Sequence, residues 1–178
     1  MESTSYETNW YVITGAPSSG KSSVIRELEN LGYRVVHEVA RAYIEEELKK
    51  GKKLEQIKAD AGKFERNILD RKIKIEEALP KEAVIFLDRA IPDSIAYYKL
   101  EGLDPTRCLE KSRIARYRKV FLFERLVFEK DRVRSEDQTV ANVLEHLIDS
   151  SYRLLGYSIV RVPILSIKKR TEFILQHI

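Results

Sequence analysis

The chain is predicted to fold as a three-layer α/β sandwich, with helices on both faces of a five-stranded parallel sheet. Three features point there. Five short apolar runs, near residues 9–14, 33–37, 83–87, 120–123 and 158–162, alternate with stretches of helical periodicity. The run AVIFL at 83–87 is continuously apolar, as expected for a parallel strand covered on both sides. Strands that alternate with helices require right-handed crossovers, which distribute the helices over one sheet.

The elements follow in order. Residues 1–8 are polar and read as a disordered tail, leaving 9–178 as a single domain. The run NWYVIT at 9–14 enters a glycine-containing turn, which suggests a buried strand. A helix over 21–31 follows, with Val24, Ile25, Leu28 and Leu31 on its inner face and Gly32 as its stop. Residues 33–37 form the second strand. From 39 to 79 the pattern is helical and broken near Gly51, giving two helices; Ile57, Ala61, Phe64, Ile68, Ile75 and Leu79 keep helical spacing on the second, and Pro80 ends it. After the third strand, helices are expected around 93–101 and 105–116. A fourth strand at 120–123 leads into a charged segment. A helix over 139–155, Gly156, a fifth strand at 158–162 and a helix over 167–178 complete the chain.

Bulk properties exclude several classes. The 178 residues suffice for one hydrophobic core, and the net charge of +4 is mildly basic with both signs interspersed. No nucleic-acid-binding stripe is present, so no nucleic-acid partner is expected. The single cysteine, Cys108, excludes an internal disulfide and fits a reducing, cytoplasmic setting. No apolar run is long enough for a membrane span. A monomer or homodimer is expected.

The most informative stretch is Gly15-Ala16-Pro17-Ser18-Ser19-Gly20-Lys21-Ser22, which satisfies G-x-x-x-x-G-K-[ST] at every specified position. Glycines let the backbone bend tightly and approach phosphate oxygens, and the helix that follows adds its positive dipole end. Lys21 supplies a mobile positive charge to the outer phosphates, and the Ser22 hydroxyl is suited to Mg²⁺. The pattern lies between a predicted strand and a predicted helix, as a phosphate cradle requires. With Ser23, these residues form the expected site for ATP, with GTP as an alternative.

In open α/β sheets ligands sit beyond the carboxyl ends of the strands. There the second strand leads to Glu38 and Arg41, and the third to Asp88, Arg89 and Asp93. Asp88 is the candidate carboxylate for Mg²⁺, and Glu38 the candidate general base. Glu38, Arg41, Arg89 and Asp93 are the candidate acceptor contacts. Residues 125–136 follow the fourth strand on the same side and carry Arg125, Lys130, Arg132 and Arg134, so they form a candidate lid. Arginines delivered by a closing loop stabilise a migrating phosphoryl group and exclude water. Tyr97 and Tyr98 read as core, and Arg170 as a surface residue. The three histidines lack metal-ligand spacing.

The runs GAPSSGKSS, HEVARAYIEEEL, FLDRAIPDSIAYY and VFLFE…DRVR…GYSIVRVP resemble the AAA_28 family of NTPases. That family is similar to the ribosylnicotinamide kinase domain of bacterial NAD-regulatory proteins. The resemblance covers about residues 10–174. Asp88-Arg89 followed by Ser94-Ile-Ala-Tyr97 is also similar to a segment of thymidylate kinases, although their other substrate motifs are missing. The resemblance implies a P-loop NTPase fold with nucleotide-kinase strand order 2-3-1-4-5. It further implies a Mg-ATP-binding phosphotransferase acting on a small nucleoside- or nucleotide-like acceptor. In such kinases an acid after the second strand serves the acceptor hydroxyl, which maps onto Glu38. The acid attending Mg²⁺ maps onto Asp88 and the lid arginines onto Arg132 and Arg134. The alternative is an NTP-dependent switch, an ATPase or GTPase that binds a protein or lipid partner through the charged 45–81 arm.

Overall fold

The computed structural model describes residues 5–125 and 135–178, with side chains from 139 onward in the second stretch. The first half runs β1 (Tyr6–Glu7), β2 (Trp10–Thr14), α1 (Lys21–Asn30), β3 (Arg34–Val36), α2 (Val39–Lys49), α3 (Leu54–Lys58) and α4 (Ala61–Ala78). The second half runs β4 (Ile85–Asp88), α5 (Ile91–Leu100), α6 (Thr106–Ser112), β5 (Ala115–Arg116), β6 (Lys119–Phe123), α7 (Ser135–Leu154), β7 (Ile159–Val162) and α8 (Ile167–Leu175).

β2 is the centre of a five-stranded sheet ordered β3-β4-β2-β6-β7, every pair parallel. Numbered among these five strands alone, that order reads 2-3-1-4-5. The central strands are buried on both faces, and successive residues alternate between two cores, as the pleat dictates. Trp10 and Val12, Ile85 and Leu87, and Val120 and Leu122 face the core shared with α4, α5 and α7. Tyr11 and Ile13, Phe86, and Phe121 and Phe123 face the core shared with α1 and α8. Each large apolar side chain so buried contributes about 1.5–3 kcal/mol of hydrophobic stabilisation. The sheet is therefore rigid where its carboxyl edge must carry a site.

Four details depart from expectation. Residues 6 and 7, expected in a disordered tail, form β1, which pairs in parallel with β5. Thr8 is buried and donates through its backbone N and its Oγ1 to the Arg116 carbonyl, both at 2.9 Å. Long-range partners that local polarity does not reveal hold this segment. The 39–79 stretch folds as three helices, because Asp60 caps α4 by accepting from the Lys63 backbone N at 2.8 Å. α5 begins earlier than expected, with Pro92 in its first turn, where a missing N–H costs nothing. Finally, the stripe that α4 buries is Glu65, Ile68, Leu69, Lys72, Ile73 and Glu76.

Those buried charges have partners on the elements after β4. Lys72 Nζ donates to the Ala90 carbonyl at 3.0 Å and to Ser94 Oγ at 3.1 Å. Glu76 accepts from the Ile91 backbone N at 3.0 Å and from the Tyr117 hydroxyl at 2.7 Å. α4 thus supplies the polar partners for the start of α5, which leads the chain away from the site.

Burial raises the Glu76 pKa from 4.5 to about 7, against the pull of its two hydrogen bonds. The folded chain therefore holds this proton more tightly than the unfolded chain does. The resulting stability is complete below about pH 4.5 and is lost as pH rises through about 7. Urea denaturation of the wild type and of Glu76→Gln across pH 5 to 8 is expected to show a falling contribution in the former that is absent in the latter.

Candidate active site

The turn after β2 runs over residues 15–20 to the head of α1. Gly15 adopts φ 142°, and a Cβ there would lie 2.9 Å from the Phe123 carbonyl oxygen on β6. Only glycine fits so close to that strand. Gly20 has φ 84° and Ser18 φ 62°, so with Gly15 the loop takes a positive φ three times. No side chain caps α1, whose first backbone N–H groups are left for a ligand. Ala16 and Ser19 are fully buried beneath the loop, while Pro17 and Ser18 are exposed and Ser22 and Ser23 half-buried.

Arg170, expected at the surface, is instead buried and braces this loop. Its Nη1 donates to the Ser19 carbonyl at 2.6 Å and its Nε to the Pro163 carbonyl at 3.0 Å. The guanidinium also packs on the Phe123 ring, 5.2 Å from its centroid. α8 therefore fixes the loop from behind. Only the folded chain brings together residues 151 positions apart.

Lys21 bends back over the loop, donating to the Ala16 carbonyl at 2.9 Å and to Ser19 Oγ at 3.2 Å. Burial, helped by the Arg89 charge, pulls its pKa down from 10.5 to about 7, while Asp88, Glu38 and Asp93 oppose the shift. Asp88 ends β4 directly beside Ile13 of β2. Its Oδ1 is buried without a hydrogen-bond partner. Burial raises its pKa to about 6, with Lys21 opposing. Cradle, lysine and carboxylate meet at one point.

Arg89 follows with φ 66°, unusual for a residue with a side chain. Its Nε donates to Glu38 Oε1 at 3.3 Å and its Nη1 to Asp93 Oδ1 at 3.4 Å. Burial opposes its charge, but Tyr97, Asp93, Glu38 and Asp88 hold its pKa above the ordinary value. Glu38, just before α2, is half-buried and oriented by this contact.

Asp93 is not available to a substrate. It is fully buried, and it accepts from Thr14 Oγ1, the Ala90 backbone N at 2.9 Å and the Tyr152 hydroxyl at 2.6 Å, besides Arg89. Burial pushes its pKa up, but Arg89, Lys72 and the Thr14 and Tyr152 hydrogen bonds outweigh it and hold it low. Its place in the first turn of α5 aims it back at the helix start. It positions Arg89.

A cavity of about 500 Å³ opens beside the phosphate loop, between α2, α4 and α5. Pro17, Glu38 and Arg89 stand where it meets the loop, and Arg41 is an exposed part of its wall. Arg89 lies over the Tyr97 ring, 5.4 Å from the centroid, so Tyr97 lines the cavity as well as packing against the core that buries Tyr98. Glu65 and Lys72 of α4 also line it. Sequence reading passes over these two, although their spacing of seven puts both on one helical face.

Arg132 and Arg134, and with them most of the candidate lid, lie outside the described residues. Arg125 is described, and its Nη2 donates to Asn142 Oδ1 on α7 at 2.8 Å. Among the described residues no group of three or more His, Cys, Asp or Glu side chains could hold a metal ion, and no helix is long and apolar enough to cross a membrane.

A glycine cradle at the head of a helix, with a buried carboxylate on the neighbouring strand, defines a P-loop protein. The model of the AAA_28 family, described as an AAA domain, matches residues 10–170, and the chain belongs to that family. Among solved structures, the deoxyadenosine kinase of M. mycoides is similar at 19% identity and a TM-score of 0.62, with 94% of this chain and 97% of that one covered. The thymidylate kinase of Ehrlichia chaffeensis is similar at 12% identity and a TM-score of 0.66, covering 94% and 96%. The NadR protein in complex with NR gives 14% identity and a TM-score of 0.68; the match covers 95% of this chain and 49% of that one. At these identities the likeness establishes the P-loop kinase fold. No curated protein sequence matches the chain significantly.

A triphosphate tail over Lys21 would restore its charge, so binding is expected to take up protons. Titration calorimetry with ATP at pH 8, in buffers of different ionisation enthalpy, should show that uptake. In Lys21→Ala the uptake should vanish and affinity should fall at least about 10-fold, as expected on losing a buried charge-assisted contact.

Proposed function

We propose that the protein is a kinase that transfers the outer phosphoryl group of ATP to a small nucleoside- or nucleotide-like acceptor held in the cavity between α2, α4 and α5. The observation that carries this reading is the junction of that cavity with the phosphate loop. Glu38 and Arg89 stand at the boundary, on the cavity side of Lys21 and Asp88. A protein that only hydrolysed its nucleotide would have no need of an apolar-walled chamber opening onto the phosphates.

Each residue has a role that follows from its surroundings. The cradle of residues 15–23 binds the phosphates through backbone N–H groups and the dipole of α1. Lys21 gives up its contacts with Ala16 and Ser19 to meet the outer phosphates. Transfer to a hydroxyl forms one P–O bond, breaks another and releases the hydroxyl proton, for which Glu38 is the base. Arg89 keeps the Glu38 carboxylate turned toward the cavity and presents positive charge to the migrating group. Arg41 offers a further contact at the cavity wall, and Arg132 and Arg134 would close over the phosphates from the 125–136 segment.

Magnesium fits the residues present. Asp88 offers a buried, unpartnered carboxylate oxygen, and Ser22 a hydroxyl in the first turn of α1. These two would hold the ion, which when bound neutralises charge on the phosphate oxygens.

Incubation with γ-labelled ATP and a panel of nucleosides and nucleotides tests the proposal. Label should appear in an acceptor; slow release of free phosphate alone, across the whole panel, would favour the nucleotide-switch alternative. With an acceptor in hand, Glu38→Gln is expected to lower kcat by about 10²–10⁴-fold. ATP affinity should change far less, because Glu38 lines the cavity and reaches Lys21 only through its charge.

A further inference from the structure

Glu65 has no part in the roles just described, yet its situation is unusual. It lies on α4 at 7% exposure and lines the cavity on the α4 side. Glu76 on the same helix and Asp93 on α5 each receive at least two hydrogen bonds, and Asp88 belongs to the phosphate site. Glu65 receives none, and no ion pair reaches it among the described residues. Lys72 lies two turns along the same helix but spends its ammonium on Ala90 and Ser94.

The Glu65 carboxylate opens only onto the cavity, and this partial burial raises its pKa while Lys72 and Lys58 oppose the shift. The walls around it are apolar: Val39, Ile44, Phe64 and Ile68 contribute aliphatic and aromatic surface. A flat ring fits between such walls, and about 500 Å³ is within the range of small-molecule sites. Of the three carboxylates that line the cavity, Glu38 is held by Arg89 and Glu45 is exposed, so Glu65 is the recessed acceptor left to a donor on the ligand.

Resting on the kinase reading, we infer that Glu65 selects the acceptor by accepting a hydrogen bond from an exocyclic amine on its base, so that amine-bearing nucleosides of the adenine or cytosine type are preferred. An ionised carboxylate attracts the two N–H bonds of an amine and repels a carbonyl oxygen in the same place. Selection therefore has both an attractive and a repulsive part. The nearby Lys58 and Lys72 charges favour the ionised form once a donor arrives. Glu65 touches the base alone, away from the reacting hydroxyl, so it sets KM and specificity.

The test compares kcat/KM for adenosine against inosine and for cytidine against uridine, in the wild type, Glu65→Gln and Glu65→Leu. The wild type should favour the amine-bearing member of at least one pair by roughly 10- to 100-fold, the worth of one charge-assisted hydrogen bond. Glu65→Gln, whose amide offers a donor as well as an acceptor, should erase or reverse that preference, mainly through KM. Glu65→Leu should lose it. ATP affinity and thermal midpoint, measured alongside, should confirm that both variants are folded. Equal use of amine and oxo bases by the wild type, or an unchanged ratio in Glu65→Gln, overturns the role of Glu65 and leaves the kinase reading intact. If no nucleoside or nucleotide accepts phosphate, the kinase reading itself fails.

Discussion

Four donors converge on the buried carboxylate of Asp93, and the geometry of the site depends on that convergence. Thr14 comes from the end of β2, Arg89 from the end of β4, the Ala90 backbone N from the start of α5, and Tyr152 from α7. An anion is stable at full burial only with such complete pairing. Once Asp93 is satisfied, the direction of Arg89 is constrained, and through Arg89 that of Glu38. The left-handed backbone at Arg89 is a local strain of about 1–3 kcal/mol that the network holds in place. A residue that no substrate can touch therefore determines where the groups at the mouth of the cavity point.

The same edge keeps its two phosphate-facing charges in unfavourable surroundings. Lys21 and Asp88 are both desolvated, and each is shifted toward its neutral form. A bound polyanion with a cation would reverse both shifts, because it brings a counter-charge to each group. Gly15 against Phe123 and Arg170 against Ser19 keep the loop in shape meanwhile. Rigid sheet, braced loop and poised charges together form a preorganised receptor for phosphate.

α4 joins this receptor to the cavity. Its buried polar stripe serves three purposes along one face: Glu65 at the cavity, Lys72 beneath the β4–α5 turn and Glu76 against Tyr117 and Ile91. Solved kinases of different specificity share the architecture at 12–19% identity, because sheet order and phosphate loop tolerate wide change in everything else.

The sequence alone determined the strand and helix alternation, the phosphate loop and the carboxylates at the strand ends. Each of these is local: an apolar run, a glycine pattern, or a charge where such a run stops. It also led to the P-loop family, because G-x-x-x-x-G-K-S constrains consecutive residues. Only the tertiary structure decided which charges face a ligand. Asp93 looks like a substrate contact until Thr14 and Tyr152, 79 and 59 residues away, are found to occupy it. Arg170 looks like a surface residue until α8 docks against the loop. Glu65 carries no signal in the sequence, and it becomes part of a cavity only when α2 and α5 pack against α4. Burial and pairing are properties of distant segments brought together, and periodicity along one helix cannot report them.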